Sequence, residues 1–461
     1  MDRPETSVER WPQRLRLGVL VLIFWLPLPY GSNRVWSESL FVLLVGLLTI
    51  GWGLAALRHP HRMTRGLMHG PGAAMVLALL AAQGWVALQW GTGISMDPGM
   101  TMRYLLHGLG LLGLFVLVVT LFTERAHLTQ LMGVVIVSGL LQGFFGAAQV
   151  LAGNDWWVFE AGTRVSGSFV NANHAANFLA MTLSVGTGLL LALRAPEPFR
   201  WWRLPDWLLG PKAWIRISLV IMVIALVMTH SRMGNIAFFS SLLVAGGLFL
   251  LLQPVRRFRS LILLTSVLLI DMLIISQYFG LENLRDRLVD TRLNDEIVAP
   301  ADLESAAQSQ TPRIARENVI RDDVLVYALP QFQHRPWRGY GAGAFESTFQ
   351  RFPGADVTQH WNHAHLDPLQ FLIEYGVVGT APLVAFVFIA LWQGLRGMAD
   401  PRSAYRSGVA TGAVMGIVAM LIHGFGDYNL QIPANAATFV VLCAMTVVAR
   451  THHRGAAVTL A

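Results

Sequence analysis

A single cysteine occurs in the 461 residues, Cys443, and it lies within the last apolar run. Disulfides inside the monomer are therefore excluded, and so is a cysteine metal cluster. Charge is also scarce: only 13% of the residues are charged while 54% are hydrophobic, a balance no soluble domain of this length adopts. The chain has no GxxxxGK[ST] phosphate loop and no HExxH, which leaves nucleotide-driven chemistry and that form of zinc chemistry without support. Tandem repeats, low-complexity tracts and sustained heptads are missing too. The opening stretch, WPQRLRLGVLVLIFWLPLPYG, begins like a signal peptide but lacks a small-residue cleavage site. It reads as an uncleaved first helix.

What the chain does contain is apolar runs. A bilayer core of roughly 30 Å needs about 20 apolar residues per helix, and twelve stretches meet or approach that length: 17–30, 37–57, 72–90, 103–122, 128–152, 172–194, 214–229, 233–252, 260–279, 368–395, 406–425 and 433–449. The expected fold is an all-α polytopic membrane protein with about twelve transmembrane helices. Nine of these lie in residues 1–279, a long extracytoplasmic loop fills 280–367, and three more helices with a cytoplasmic tail occupy 368–461.

Orientation follows from the arginines, because short cytoplasmic loops retain positive charge. Arg3, Arg10, Arg14 and Arg16 precede the first span, and alternate turns carry Arg58, Arg62 and Arg65, then Arg125, then Arg256, Arg257 and Arg259, then Arg396, Arg402 and Arg406. Both termini are expected in the cytoplasm. The opposite short turns hold only Arg34, Arg103, Arg164 and Arg232. The net charge of +7 reflects this bias and attraction to anionic membrane lipids, so it does not point to nucleic acid. The long loop holds nine arginines, which is permitted because long loops translocate regardless of charge.

Chemistry-bearing residues collect on the outward side. QHWNHAHLDPLQFLIEYGVVG crowds His360, His363 and His365 against the tenth span. Asp367 as N-cap and Pro368 at the first helical position start that span. The partial positive charge at a helix N-terminus favours a neutral imidazole, which makes His363 or His365 a candidate general base for a hydroxyl. Anchoring of the helix and a His-x-His metal site are the alternatives. THSRMGN puts Arg232 at the N-terminal end of the eighth span, where a cation opposes the helix dipole unless an anion sits between them; a snorkelling arginine is the plainer reading. Arg164 enters the sixth span with Asn171, Asn173 and His174, and the asparagines can cap that helix. Asp271 is an intramembrane acid that a proton-coupled transporter would use or that hydroxyl neighbours would satisfy. Outward arginines beside a neutral histidine suit an anionic, membrane-resident donor and a hydroxyl nucleophile.

Four segments in this order, RVSGSFVNANHAANFLA, THSRMG, RDDVLVYALPQFQHRPWRGYGAGAF and HAHLDPLQFLIEYGVVG, resemble the O-antigen ligase and Wzy-type polymerase superfamily. The resemblance runs from roughly residue 128 to the C-terminus. Departures occur at Met233, Leu325 and Leu366, where glycine, tryptophan and asparagine are usual in the family. It implies a glycosyltransferase of the C type in the bacterial inner membrane, with its active site on the periplasmic side. The implied reaction is an inverting transfer from an undecaprenyl diphosphate-linked glycan, with no metal and no cofactor. His365 matches the loop histidine taken as base, and His363 would orient it or substitute for it. Arg232, Arg321 and Arg164 would hold the diphosphate, and Gly339, Gly341 and Gly343 match a glycine-rich turn. The acceptor is expected to be another glycan, as in surface polysaccharide polymerisation, with the aromatic and basic stretch Phe332–Phe352 as a sugar-stacking surface. Ligation to lipid A core and protein O-glycosylation are the alternative transfers, and a non-enzymatic transporter of lipid-linked glycans is the alternative of another class.

Overall fold

The computed structural model describes residues 7–64, 67, 70–152, 164–193, 211–254, 257–258, 260–262, 264–266, 317–352 and 360–451. Eleven long helices run back and forth through it: α1 Ser7–Trp25, α2 Val35–Arg58, α3 Pro71–Gly91, α4 Pro98–Leu121, α5 Arg125–Ala152, α6 Ala172–Ala192, α7 Pro211–Met228, α8 Arg232–Leu252, α11 Asp367–Met398, α12 Ala404–His423 and α13 Pro433–Thr451. Between α8 and α11 lie α9, Glu317–His334, and the short α10, Phe345–Phe349. Nine of the described helices are long and apolar enough to cross a membrane, and Ala213–Met228 is a shorter apolar helix. The protein is an all-helical polytopic membrane protein. The expected span at 260–279 and the acid Asp271 fall largely outside the described residues.

The centre of the bundle follows from residue size. Almost every residue of α6 and α13 is buried, and about half of α6 is alanine, glycine, serine or threonine. Its closest partner is α12. A Cβ added at Gly188 would meet the Gly412 Cα at 2.5 Å, so the two backbones touch where neither carries a side chain. Lipid tails are as apolar as leucine, so close van der Waals packing between small residues is what draws such helices together. Hydroxyls on these helices are satisfied one turn back, Ser184 on Ala180 O at 2.7 Å and Thr411 on Ser407 O at 2.6 Å. By contrast α2 exposes Leu43, Leu47, Ile50 and Leu54, a stripe at three- to four-residue spacing that faces outward.

The connection preceding α11 is locked to the bundle by backbone. Gly376 breaks α11 with φ +64°, which frees the carbonyls before it. Tyr340 N donates to Ile373 O at 3.0 Å and Gly341 N to Glu374 O at 2.9 Å. The buried Glu374 carboxylate accepts from Gly343 N at 2.9 Å. The glycine-rich turn at 339–343 is thus a fastening on a kinked helix. It holds α9 and α10 over the end of the bundle where α6, α8, α11 and α13 begin.

One expectation is corrected here. The N-cap of α11 is Leu366, and Asp367 is its first helical residue with no capping bond of its own. Asp367 is buried, and its Oδ2 accepts from Leu430 N at 3.0 Å, because the turn joining α12 to α13 folds over it and offers that amide.

Candidate functional site around His365, Asp427 and Tyr428

The three histidines of the loop before α11 part company. His360 is exposed and engages Glu346 at 2.8 Å and Gln350 at 2.9 Å, away from the others. His363 and His365 fold inward around Tyr428, which the α12–α13 turn supplies. The His363 ring stacks on Tyr428 with centroids 4.1 Å apart, and His365 meets it edge-on at 4.7 Å. His174, near the start of α6, meets the same ring edge-on at 4.8 Å.

Behind this cluster lies Asp427, 1% exposed. Its Oδ1 is 3.4 Å from His365 Nδ1 and 3.8 Å from His174 Nε2, and it accepts from Tyr428 N at 2.9 Å. These imidazole separations are ion-pair distances, looser than formed hydrogen bonds. Burial pushes the Asp427 carboxyl up, but His174 and His365 outweigh it and hold the group well below the usual carboxylate range. A carboxylate at Nδ1 places the proton of a neutral ring there and leaves Nε2 as acceptor. His365 itself sits at φ +50°, a strained value for a residue with a side chain.

His363 has the opposite assignment. Ala364 N donates to Gln370 Oε1 at 3.1 Å, so the amide's nitrogen faces the other way, donating to Glu374 Oε1 and His363 Nδ1, each at 3.1 Å. With Nδ1 accepting, a neutral His363 carries its proton on Nε2 and is a donor to anything beyond. Burial lowers its pKa to about 4, and the neighbouring His365 and His174 add to that effect, so the neutral form prevails at pH 7.

Arg232 lies at the first position of α8, capped by Ser231, whose Oγ accepts from Gly234 N at 3.2 Å. Its side chain is exposed, and no described residue pairs with it. The next residue, Met233, packs on Gly426, beside Asp427. Arg164 braces the same hairpin: Nε donates to Thr229 O at 2.9 Å and Nη2 to Asn173 Oδ1 at 2.7 Å. Asn171 caps α6 through Asn173 N at 2.8 Å, as its position suggested. Arg321 lies on α9, with its side chain outside the described residues, and Asp271 is wholly outside them. Among the described residues no three His, Cys, Asp or Glu side chains are gathered as a metal site. The stretch Phe332–Phe352 departs from the expected aromatic surface. Tyr340, Phe345 and Phe349 form a small core of their own, while Trp337 and His334 are exposed.

Residues 217–384 match the family model described as O-antigen ligase. That stretch carries the signature of the O-antigen ligase family. It contains Arg232, Arg321, the glycine turn, His363 and His365, and the match supports a function of the O-antigen ligase or polymerase type in general. No curated protein matches the chain. Arg164, His174, Asp427 and Tyr428 stand outside the O-antigen ligase segment and reach the site only through folding. Sequence reasoning passed over Asp427, although an acid in a short turn between two apolar spans is costly enough to be a signal. It also passed over Gln370 and Glu374, a polar pair at i, i+4 inside an apolar helix.

Proposed function

We propose that the protein transfers a glycan from undecaprenyl diphosphate to an acceptor hydroxyl, with inversion and without a metal, at the periplasmic face of the inner membrane. Both termini are then cytoplasmic, and 280–367 is the extracytoplasmic loop of the division read from sequence. The observation that carries this reading is His365 Nδ1 set against the buried Asp427 carboxylate, which leaves Nε2 to accept a proton. In the step, the acceptor O–H gives its proton to His365 Nε2 as its oxygen bonds to the anomeric carbon. The bond from that carbon to the phosphate oxygen breaks, and its electron pair leaves on the diphosphate. Arg232, unpaired among the described residues, meets that charge, with Arg321 assigned the same role from the sequence and Arg164 holding the hairpin in place.

Polymerisation is the favoured outcome, the acceptor being a second lipid-linked glycan. Purified protein supplied with an undecaprenyl diphosphate oligosaccharide alone, and followed by mass, should give a ladder of longer lipid-linked chains. A protein inert until lipid A core or a polypeptide is added would move the reading to ligation or protein O-glycosylation. Movement of intact donor across a bilayer with no new glycosidic bond would replace transfer by transport.

A further inference from the structure

At the end of the bundle away from the histidines, arginines gather from the last turns of α11 and α13 and the first turn of α12. A Cβ added at Gly397 would meet Ala410 Cβ at 2.8 Å and Arg450 Cγ at 3.6 Å, so α11 and α12 close on each other at that glycine and the Arg450 stem lies over the joint. From there Arg450 Nη1 donates to Oε1 of the buried Gln393. Arg396 and Arg406 both repel the Arg450 guanidinium and Asp400 attracts it, which puts all three within electrostatic reach of it. Asp400 is already engaged: Oδ2 lies 3.4 Å from Arg406 Nη1, and Oδ1 accepts from Arg402 N at 2.9 Å. One carboxylate beside three guanidiniums leaves an excess of two positive charges.

At α11 the ordinary reason for such cations is missing. Arginines near a helix C-terminus commonly meet its last carbonyls. Here Gln253, the C-cap of α8, does so instead, its Nε2 donating to Met398 O at 2.6 Å and to Asp400 O at 3.0 Å. Arg406 follows the N-cap Ser403 by three residues, where the partial charge of α12 is itself positive and disfavours a cation. The charge bias of membrane proteins puts arginines on short loops, but it does not press three of them together from three helices. That arrangement asks for an anion.

A lipid-facing path leads to the same place. Val384, Phe388 and Trp392 are exposed at four-residue spacing along α11 and end at Arg396, whose guanidinium carbon is 5.7 Å from the centre of the Trp392 ring. Val384 and Arg396 are 12 positions apart, roughly 18 Å of helix and about the depth of one leaflet's hydrocarbon. Tryptophan marks the level of the headgroups. A free phosphate would use the arginines and not the stripe, and a neutral lipid would use the stripe and leave the charge unmet.

We propose that the end of α11 holds an anionic phospholipid with two phosphates, of the cardiolipin type: one acyl chain lies along Val384, Phe388 and Trp392, and the phosphates sit among Arg396, Arg406 and Arg450. The site is independent of the transfer reading, because it stands at the last turn of α11 whereas the histidines precede the first.

The test uses the full chain in detergent, washed free of lipid, with equal amounts of cardiolipin and phosphatidylethanolamine added and bound lipid counted by native mass spectrometry. Cardiolipin should be retained at least about tenfold more tightly, the worth of one charge-assisted hydrogen bond to phosphate. Arg450→Gln and Arg396→Gln should each remove most of that preference, and Arg396, which is exposed, carries the test if the Arg450 variant does not fold. Arg58→Gln, which removes an exposed arginine from the end of α2, should leave the preference within about twofold of the unaltered protein. Equal retention of the two lipids, or an equal loss in Arg58→Gln and Arg396→Gln, overturns the proposal, since general positive charge would then account for the binding. Inorganic phosphate in large excess should leave cardiolipin bound. Displacement by it would make this a site for a soluble anion and overturn the lipid as its occupant.

Discussion

His365 and His363 are two residues apart, yet their partners assign them opposite hydrogen-bonding roles. His365→Ala should lower turnover by on the order of 10²–10⁴ with a much smaller change in donor affinity, as loss of a positioned base does. Asp427→Asn should fall in the same range, because an amide no longer selects the tautomer that leaves Nε2 free. Single-turnover rates on a lipid-linked donor, with binding measured separately, check both. Normal turnover in Asp427→Asn would leave that acid a structural role only. His363 makes a pH prediction. Its pKa is lowered from 6.5 to about 4 in the folded protein, so between those values the unfolded chain binds the extra proton. Stability is therefore complete above pH 6.5 and falls as pH drops toward 4. Thermal unfolding should show that loss, and His363→Gln should flatten the pH slope across the window. At Arg232 the prediction concerns geometry: Arg232→Lys should impair turnover strongly, since an ammonium lacks the planar fork that holds two phosphate oxygens. Near-normal turnover would end the clamp role.

At the scale of elements, the joint between the 339–343 turn and the kink of α11 decides whether the site assembles. Gly339 has φ +66°, and a Cβ there would come 2.3 Å from Glu374 O. Gly339→Ala must either strain that backbone or push the turn from α11, at a cost of roughly 1–3 kcal/mol. Limited proteolysis should then cut the region between α9 and α11 faster than in the unaltered protein, while the bundle stays intact. An unchanged cleavage rate would mean that the turn is not fastened as described. Glu374 joins this element to the site, since its carboxylate holds Gly343 N and, through Gln370, sets the His363 ring. A loop fastening and a side-chain tautomer therefore depend on one acid.

For the whole molecule, the arginines Arg164 and Arg232 at the outer end of the bundle have no carboxylate partner among the described residues. An arrangement in which guanidinium groups meet the leaving charge needs no divalent ion, so transfer should persist in EDTA. Loss on chelation, with rescue by zinc or magnesium, would restore the metal alternative for the His-x-His stretch.

The membrane class and helical architecture were legible in the chain because they depend on local composition: a run of about 20 apolar residues can only be a span. The loop histidines and Arg232 were legible as well, since a group that is costly to desolvate stands out at the end of an apolar run. The pairing of His365 with Asp427 was not, because 62 positions separate them and no spacing in the chain says which acid lies under which ring. Only the fold of α12 and α13 over Asp367 brings that carboxylate beneath the ring. The same holds for the division of labour between His363 and His365, which no spacing encodes. A tautomer is decided by the nearest fixed donor or acceptor. Here these are Gln370, oriented by the Ala364 amide, and Asp427, buried by the α12–α13 turn.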